Sequence, residues 1–192
     1  MLNMIISGAP GCGKGTQSAL IIEKYRLKHF STGELLRQEI AKKTALGIEA
    51  NSFIAKGNLV PDKMIISIIT QALETLDIGC CGIIFDGFPR TLAQAQALEN
   101  LMNSLNNPVT VLIDLYVPDK ELIKRLLIRG ETSGRCDDNL ETILKRLEVY
   151  NSKTAPVNEF YQKLGKYERV LGTGSIEEIF VRICSVLDKK KA

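Results

Sequence analysis

The segment Gly8-Ala9-Pro10-Gly11-Cys12-Gly13-Lys14-Gly15-Thr16 constrains the chain more than any other stretch. It fits the pattern G-x-x-x-x-G-K through Lys14 and follows the apolar run Leu2–Ser7. Beyond Gly15, the positions of Ala19, Leu20 and Ile22 suit a helix that ends near Tyr25. A strand, a glycine turn and a helix in that order are the context in which the pattern acquires chemical meaning. The glycines let backbone N–H groups turn inward without Cβ clashes, and the helix N-terminus adds its partial positive charge. The segment is therefore predicted to cradle an anion, with Lys14 adding a point charge suited to phosphate. Gly15 stands where the general pattern has Ser or Thr, and Thr16 comes one place later, which puts direct Mg²⁺ ligation by that hydroxyl in doubt.

Such a loop belongs at the end of a buried parallel strand, and the rest of the chain supplies the partners. Strands are predicted at Leu2–Ser7, His29–Ser31, Gly82–Phe85, Val109–Val117 and Tyr167–Leu171. Helical spacing runs through Leu35, Leu36 and Ile40, and again over Ala45–Lys56. Val60-Pro61-Asp62 starts another helix, with proline early and an acidic residue beside it. Further helices cover Thr91–Leu105, Lys120–Arg129, the segment from Asn139 with Leu140, Ile143, Leu144 and Leu147, and Ile176–Leu187. Strands that alternate with helices pair in parallel through right-handed crossovers. The expected fold class is α/β, a doubly wound parallel sheet of about five strands of the P-loop type. A helical stretch from Ser31 to Val60 and a charged, glycine-containing loop from Gly130 to Asp138 interrupt it.

Composition narrows the functional classes. Apolar residues at 45% and charged residues at 24% describe a globular chain, which excludes disorder and a disulfide-dense scaffold. A net charge of +3 is too small to argue for nucleic acid or a membrane surface. No apolar run approaches the ~18 residues of a membrane span, and the first residues lack the pattern of a signal peptide. Cys12, Cys80, Cys81, Cys136 and Cys184 show no C-x-x-C spacing, and His29 is the only histidine, so a structural zinc cage is not expected. Unpaired cysteines point to a reduced, cytoplasmic setting. Cys80 and Cys81 read as small buried hydrophobes, His29 as structural, and Lys189, Lys190 and Lys191 as a solvated tail.

A phosphate cradle alone fits a GTPase, an ATPase or a kinase. No N-K-x-D stretch is present and no D-x-x-G follows Asp86, which speaks against a GTPase. The chain instead places arginines near glycine turns. Arg37 follows Ser31-Thr32-Gly33-Glu34-Leu35-Leu36, and Arg90 closes Asp86-Gly87-Phe88-Pro89-Arg90. Arg125 and Arg129 share a helix face, Arg135 follows Ser133-Gly134, and Arg146 lies on the next helix. Arg125 is also placed to pair with Glu121 one turn earlier.

The segments Gly8–Gln17, Ser31–Arg37, Asp86–Thr91 and Gly130–Asn139 resemble the adenylate kinase family in order and spacing, from about Met4 to Leu187. The short Gly130–Gly134 loop is similar to the short-lid form of that family. Glu34 and Cys12 depart mildly from its pattern. The resemblance implies reversible phosphoryl transfer from Mg²⁺-bound ATP to AMP, giving two ADP. It implies that Gly11, Cys12, Gly13, Lys14, Gly15 and Thr16 wrap the ATP phosphates and that Gly174 meets the ATP base. Thr32, Arg37, Asn58, Leu59, Val60, Gly87, Phe88, Pro89, Arg90 and Gln94 would form the AMP pocket. Arg37 and Arg90 would grip the AMP phosphate there, and Gln94 would read an adenine edge. Arg129, Arg135 and Arg146 would close over the reacting phosphates, and Asp86 would hold Mg²⁺ through water.

Physics agrees with the implied chemistry, since two polyanions cannot meet without cations: two unit charges at 4 Å repel by about 4 kcal/mol at an effective dielectric of about 20. Arginine serves this need better than lysine because its planar fork binds phosphate bidentately. The expected organisation is a core of residues 1–30, 61–128 and 139–192, a nucleoside-monophosphate segment 31–60 and a short lid 129–138, the two insertions being the parts expected to move. The expected state is a monomer. A pyrimidine monophosphate kinase on the same fold and a non-catalytic nucleotide-binding module remain as alternatives.

Overall fold

The computed structural model describes residues 1–74, 82–133, 137 and 139–191. Five strands form one parallel sheet: β1 (Met4–Ser7), β2 (Lys28–Ser31), β3 (Ile83–Asp86), β4 (Val111–Tyr116) and β5 (Tyr167–Leu171), in the order β2-β3-β1-β4-β5. The helices are α1 (Lys14–Tyr25), α2 (Thr32–Ala41), α3 (Ala45–Ile54), α4 (Asp62–Glu74), α5 (Leu92–Ser104), α6 (Asp119–Ser133), α7 (Leu140–Val149), α8 (Ala155–Lys163) and α9 (Ile176–Lys191). A π-helical turn at Tyr150–Thr154 joins α7 to α8.

Alternation along the strands divides the interior into two cores. Met4, Ile6, Ile84, Val111, Ile113 and Leu115 face one side, where they pack against α1, α6, α7 and α9. Ile5, Ile83, Phe85 and Leu112 face the other, against α4, α5 and α8. Every residue of β1 is buried, as a strand with helices on both faces requires. The helices supply matching stripes: Ile65, Ile69 and Leu73 on α4, and Ile179, Ile183 and Leu187 on α9, each repeating at one-turn spacing. Burying each such side chain contributes roughly 1.5–3 kcal/mol.

The register matters for function. Ser7 pairs with Asp114, Ile6 with Asp86, and Ser31 with Asp86. The carboxyl ends of β1, β2, β3 and β4 therefore lie at one level, where β2 and β3 lie on one side of β1 and β4 and β5 on the other. Open α/β sheets bind ligands at such a reversal.

The elements differ from expectation in three places. α6 continues through Gly130 to Ser133, where a loop was expected, because one helical glycine costs only about 1 kcal/mol. α9 keeps its backbone helical to Lys191, and Lys190 meets Glu168 at 3.1 Å, so the C-terminal lysines extend a helix. The long helical segment from Asn139 is interrupted by the π-helical turn and resumes as α8. Cys80, Cys81 and Cys136 lie outside the described residues. Among the described residues no helix is long and apolar enough to cross a membrane.

Candidate active site

The loop after β1 owes its shape to backbone that only glycine adopts comfortably. Gly13 has φ +98° and forms the left-handed N-cap of α1, with no side chain capping the helix. Its first N–H groups are thus left to face the loop. At Gly8, φ +140°, an added Cβ would meet Cys12 Sγ and the Leu115 carbonyl, each at 2.7 Å. Lys14 folds back over the loop: its ammonium donates to the Gly8 carbonyl at 2.6 Å and the Ala9 carbonyl at 3.1 Å. The cation is held at the centre of the cradle.

Beside this loop β3 ends at Asp86, which is mostly buried. Ser18 Oγ of α1 donates to Asp86 Oδ2 at 3.2 Å, and His29 Nε2 of β2 lies 3.7 Å from the same oxygen. Burial pushes the carboxyl pKa up, but the His29 imidazole, the Lys14 charge and the Ser18 hydroxyl outweigh it and hold it below the usual carboxylate value. Asp86 is thereby kept as an anionic oxygen donor next to the phosphate loop. Its hard oxygens fit a Mg²⁺ ion held through water. Among the described residues no group of three or more His, Cys, Asp or Glu side chains is placed to hold a metal by itself.

The turn from β3 into α5 builds the opposite wall. The Gly87 carbonyl accepts from Thr32 Oγ1 at 2.9 Å and from Arg90 Nε at 2.7 Å, which joins the start of α2 to the Arg90 side chain. Thr154, at the end of the π-helical turn, donates to the Arg90 carbonyl at 3.0 Å. Arg146, on α7, meets Asp137 Oδ2 at 2.8 Å and donates to the Asp137 carbonyl at 3.1 Å. Although Arg90 is open to solvent in the cleft, the protein around it, and then the like charges of Arg146 and Arg37, lower its pKa, with Asp86 and Asp137 opposing. Three guanidinium groups thus converge, and an anion bound between them would relieve their mutual repulsion. Asp114, 2% exposed, lies under this wall: it accepts from Tyr167 at 2.9 Å and from Tyr150, which lines the cleft, at 3.4 Å.

One continuous cleft of about 1040 Å³ is lined by Gly8, Lys14, Asp86, Gly87, Arg90 and Arg146 among these groups, while Ser18, His29 and Asp114 support it from behind. It brings together Gly11–Thr16, Thr32, Arg37, Asn58, Leu59, Val60, Asp86, Gly87, Phe88, Pro89, Arg90, Gln94, Arg129, Arg146 and Gly174. Arg135 lies outside the described residues. Arg125 also borders the cleft but pairs with Glu121 at 3.0 Å and donates to the Gly172 carbonyl at 3.2 Å. Gly174 sits in the loop before α9, which Gln17 ties to α1 through the Ile176 carbonyl at 3.0 Å. Gln94 is buried, and its amide is engaged on both sides by protein: Oε1 accepts from the Arg90 N–H and Nε2 donates to Asp62, each at 2.7 Å.

Sequence reasoning missed Ser18, Asp62, Asp137, Thr154 and the pairing of His29 with Asp86. The turn that holds Gln94 did carry a readable signal. Thr91-x-x-Gln94 is a capping-box spacing, and Thr91 Oγ1 accepts from the Gln94 N–H at 3.2 Å. The Gln94 amide reaches one residue beyond the usual partner, to Arg90.

The sheet order, the glycine cradle at the switch point and the guanidinium groups facing it define a P-loop protein of the phosphoryl-transferring class. A family model described as adenylate kinase matches residues 6–166, and the chain belongs to that family. Adenylate kinases of Parabacteroides distasonis and Porphyromonas gingivalis are similar to it. The first is 50% identical over 191 residues, 100% of each chain to the nearest per cent. The second is 50% identical over 189 residues, 98% of this chain and 97% of that one. A third, of Phocaeicola vulgatus, is 49% identical over 98% of this chain and 100% of its own length.

Proposed function

We propose that the cleft performs the family's reaction, reversible transfer of the γ-phosphoryl group of ATP to AMP, by holding both nucleotides at once. The observation that carries this reading is the convergence of Arg37, Arg90 and Arg146 opposite the Lys14 cradle within one cleft. A single nucleotide triphosphate does not need that second cationic wall.

The acceptor is a phosphate oxygen that is already anionic, so no general base is required, and positioning with charge neutralisation supplies the rate. Gly11, Cys12, Gly13, Gly15 and Thr16 bind the ATP phosphates through backbone N–H groups, and Lys14 balances the charge that moves between them. Arg37 and Arg90 hold the acceptor phosphate, with Thr32, Gly87, Phe88 and Pro89 shaping its end of the cleft. Asn58, Leu59, Val60 and Gln94 receive the AMP base, and Gly174 borders the ATP base. Arg129 and Arg146 lie where charge develops on the transferred group, and Arg135 is assigned with them from its place in the sequence. Asp86 would hold Mg²⁺ through its water shell, and the ion, when bound, neutralises the ATP phosphates.

We further propose the division into a core (1–30, 61–128, 139–192), an AMP-binding segment (31–60) and a short lid (129–138). Segment 31–60 carries α2 and α3 as an insertion between β2 and β3, and its assigned role is to move over the site and shield it from water. We also propose a cytoplasmic monomer without nucleic-acid or membrane partners. The free buried thiols of Cys12 and Cys184 and the net charge of +3 support this assignment. Phosphorus NMR with Mg²⁺, ATP and, separately, AMP, CMP, UMP and GMP tests the reading. ADP accumulating with AMP is the expected result. Diphosphate formed only from UMP or CMP would assign the acceptor to pyrimidines, and ATP bound but intact with every acceptor would leave a binding module.

A further inference from the structure

Asp62 is the first residue of α4, and its two oxygens are divided between different partners. Oδ1 accepts from Gln94 Nε2 at 2.7 Å, and Oδ2 accepts from Thr91 Oγ1 at 3.0 Å. On its other side Gln94 Oε1 accepts from the Arg90 backbone N–H at 2.7 Å. A backbone N–H only donates and a carboxylate only accepts. The Gln94 carboxamide therefore has one orientation: turned over, its NH₂ would face the Arg90 N–H, and its oxygen would face Asp62. Gln94 is 2% exposed, so water cannot compensate either mismatch. One N–H and one oxygen lone pair remain unused, on a residue that borders the cleft.

We infer that Asp62, together with the Arg90 N–H, fixes the direction of the Gln94 amide and thereby makes the acceptor site select bases bearing an amino group beside a ring-nitrogen acceptor. The inference rests on Gln94 meeting the acceptor base, as proposed above. In the fixed orientation, the free lone pair takes an exocyclic N–H and the free N–H donates to the adjacent ring nitrogen. Adenine and cytosine present that pattern. Hypoxanthine, uracil and the 6-oxo edge of guanine present a carbonyl beside a ring N–H, which needs the opposite orientation and would leave buried polar groups unmatched. Asp62 touches no substrate in this scheme. It is a positioning residue, reaching the base only through Gln94 and linking the start of α4 to the Arg90 turn.

AMP and IMP isolate the effect, because they have nearly the same shape and differ in the amino or carbonyl group and the ring-nitrogen proton. Steady-state kcat/KM for each acceptor is measured on the full chain with Mg²⁺–ATP, for wild type, Asp62→Asn and Asp62→Ser. Wild type is expected to favour AMP by about 10³-fold or more, and both variants to narrow that ratio by about tenfold. The change should appear chiefly in KM, since the reacting phosphates are untouched. In a Gln94→Leu background, Asp62→Asn should leave the ratio unchanged, because its route to the base is gone.

A purely structural role for Asp62 would lower both acceptors together, and a ratio within twofold of wild type in the folded variants overturns the proposal. So does a wild-type chain that uses AMP and IMP equally well. A wild type that phosphorylates neither would instead remove the function on which the proposal rests. The two variants are independent, so one that fails to fold leaves the other to decide.

Discussion

The two halves of the cleft are built in opposite ways. The cradle we assign to the ATP phosphates is a run of consecutive residues, Gly8–Thr16, whose shape follows from local backbone geometry and whose cation, Lys14, is held by the carbonyls of that same run. The side we assign to AMP is assembled from the start of α2, the segment before α4, the Gly87–Arg90 turn and α7, and it is held by hydrogen bonds that tie α2 to that turn, α5 to α4 and the π-helical turn to Arg90. A contiguous site is set once its strand and helix form. An assembled site can be loosened one contact at a time, so its affinity and selectivity are open to change at residues that never touch the substrate.

Substitutions on the two sides sharpen this contrast. The largest effect is expected from Arg90→Ala, which removes both the proposed phosphate contact and the bond to the Gly87 carbonyl: kcat/KM for AMP should fall about 10³-fold, with unaltered far-ultraviolet circular dichroism. Lys14→Met should lower kcat about 10²-fold while AMP binding by calorimetry is kept, because the loop is separate from the acceptor wall. Equal loss of AMP binding would break the division between the two sides. Thr154→Val removes the bond to the Arg90 carbonyl, and it should raise KM for AMP several-fold, leave KM for ATP unchanged, and cost about 1 kcal/mol of stability in urea.

The smallest effect concerns pH. His29 has its pKa raised from 6.5, above all by Asp86, with burial opposing and Glu34 adding to it. Its contribution to stability is therefore complete below the unfolded-state pKa and lost as pH rises through the folded-state value. The imidazole is the only one in the chain, so its proton NMR titration in metal-free protein reads the shift directly. Asp86→Asn should bring its midpoint down, and an unmoved midpoint would remove the pairing.

The same contrast explains what the sequence disclosed. The loop was legible because Gly8, Gly13 and Lys14 act within a few residues of one another. The inner strands β1, β3 and β4 were legible because they are buried on both faces and form continuous apolar runs, whereas the edge strands β2 and β5 are partly exposed and left a weaker trace. Asp62 read only as a helix start, because its bond to Gln94 joins positions 32 residues apart and leaves no periodic trace. The pairing of His29 with Asp86 depends on strand register, and Thr154 reaches Arg90 across 64 residues, so neither could be read without the fold. The end of α6 was misplaced because Gly130, Thr132 and Ser133 have turn composition, although the helix continues through them.

The central claim is that one cleft holds donor and acceptor together. Calorimetry with a nucleotide that joins two adenosines through five phosphates tests it most directly, since the compound spans both sites. One molecule should bind per chain, displaced by ATP and by AMP alike, and Arg90→Ala should weaken it. Two molecules per chain, or displacement by ATP with no effect of AMP, would contradict the account.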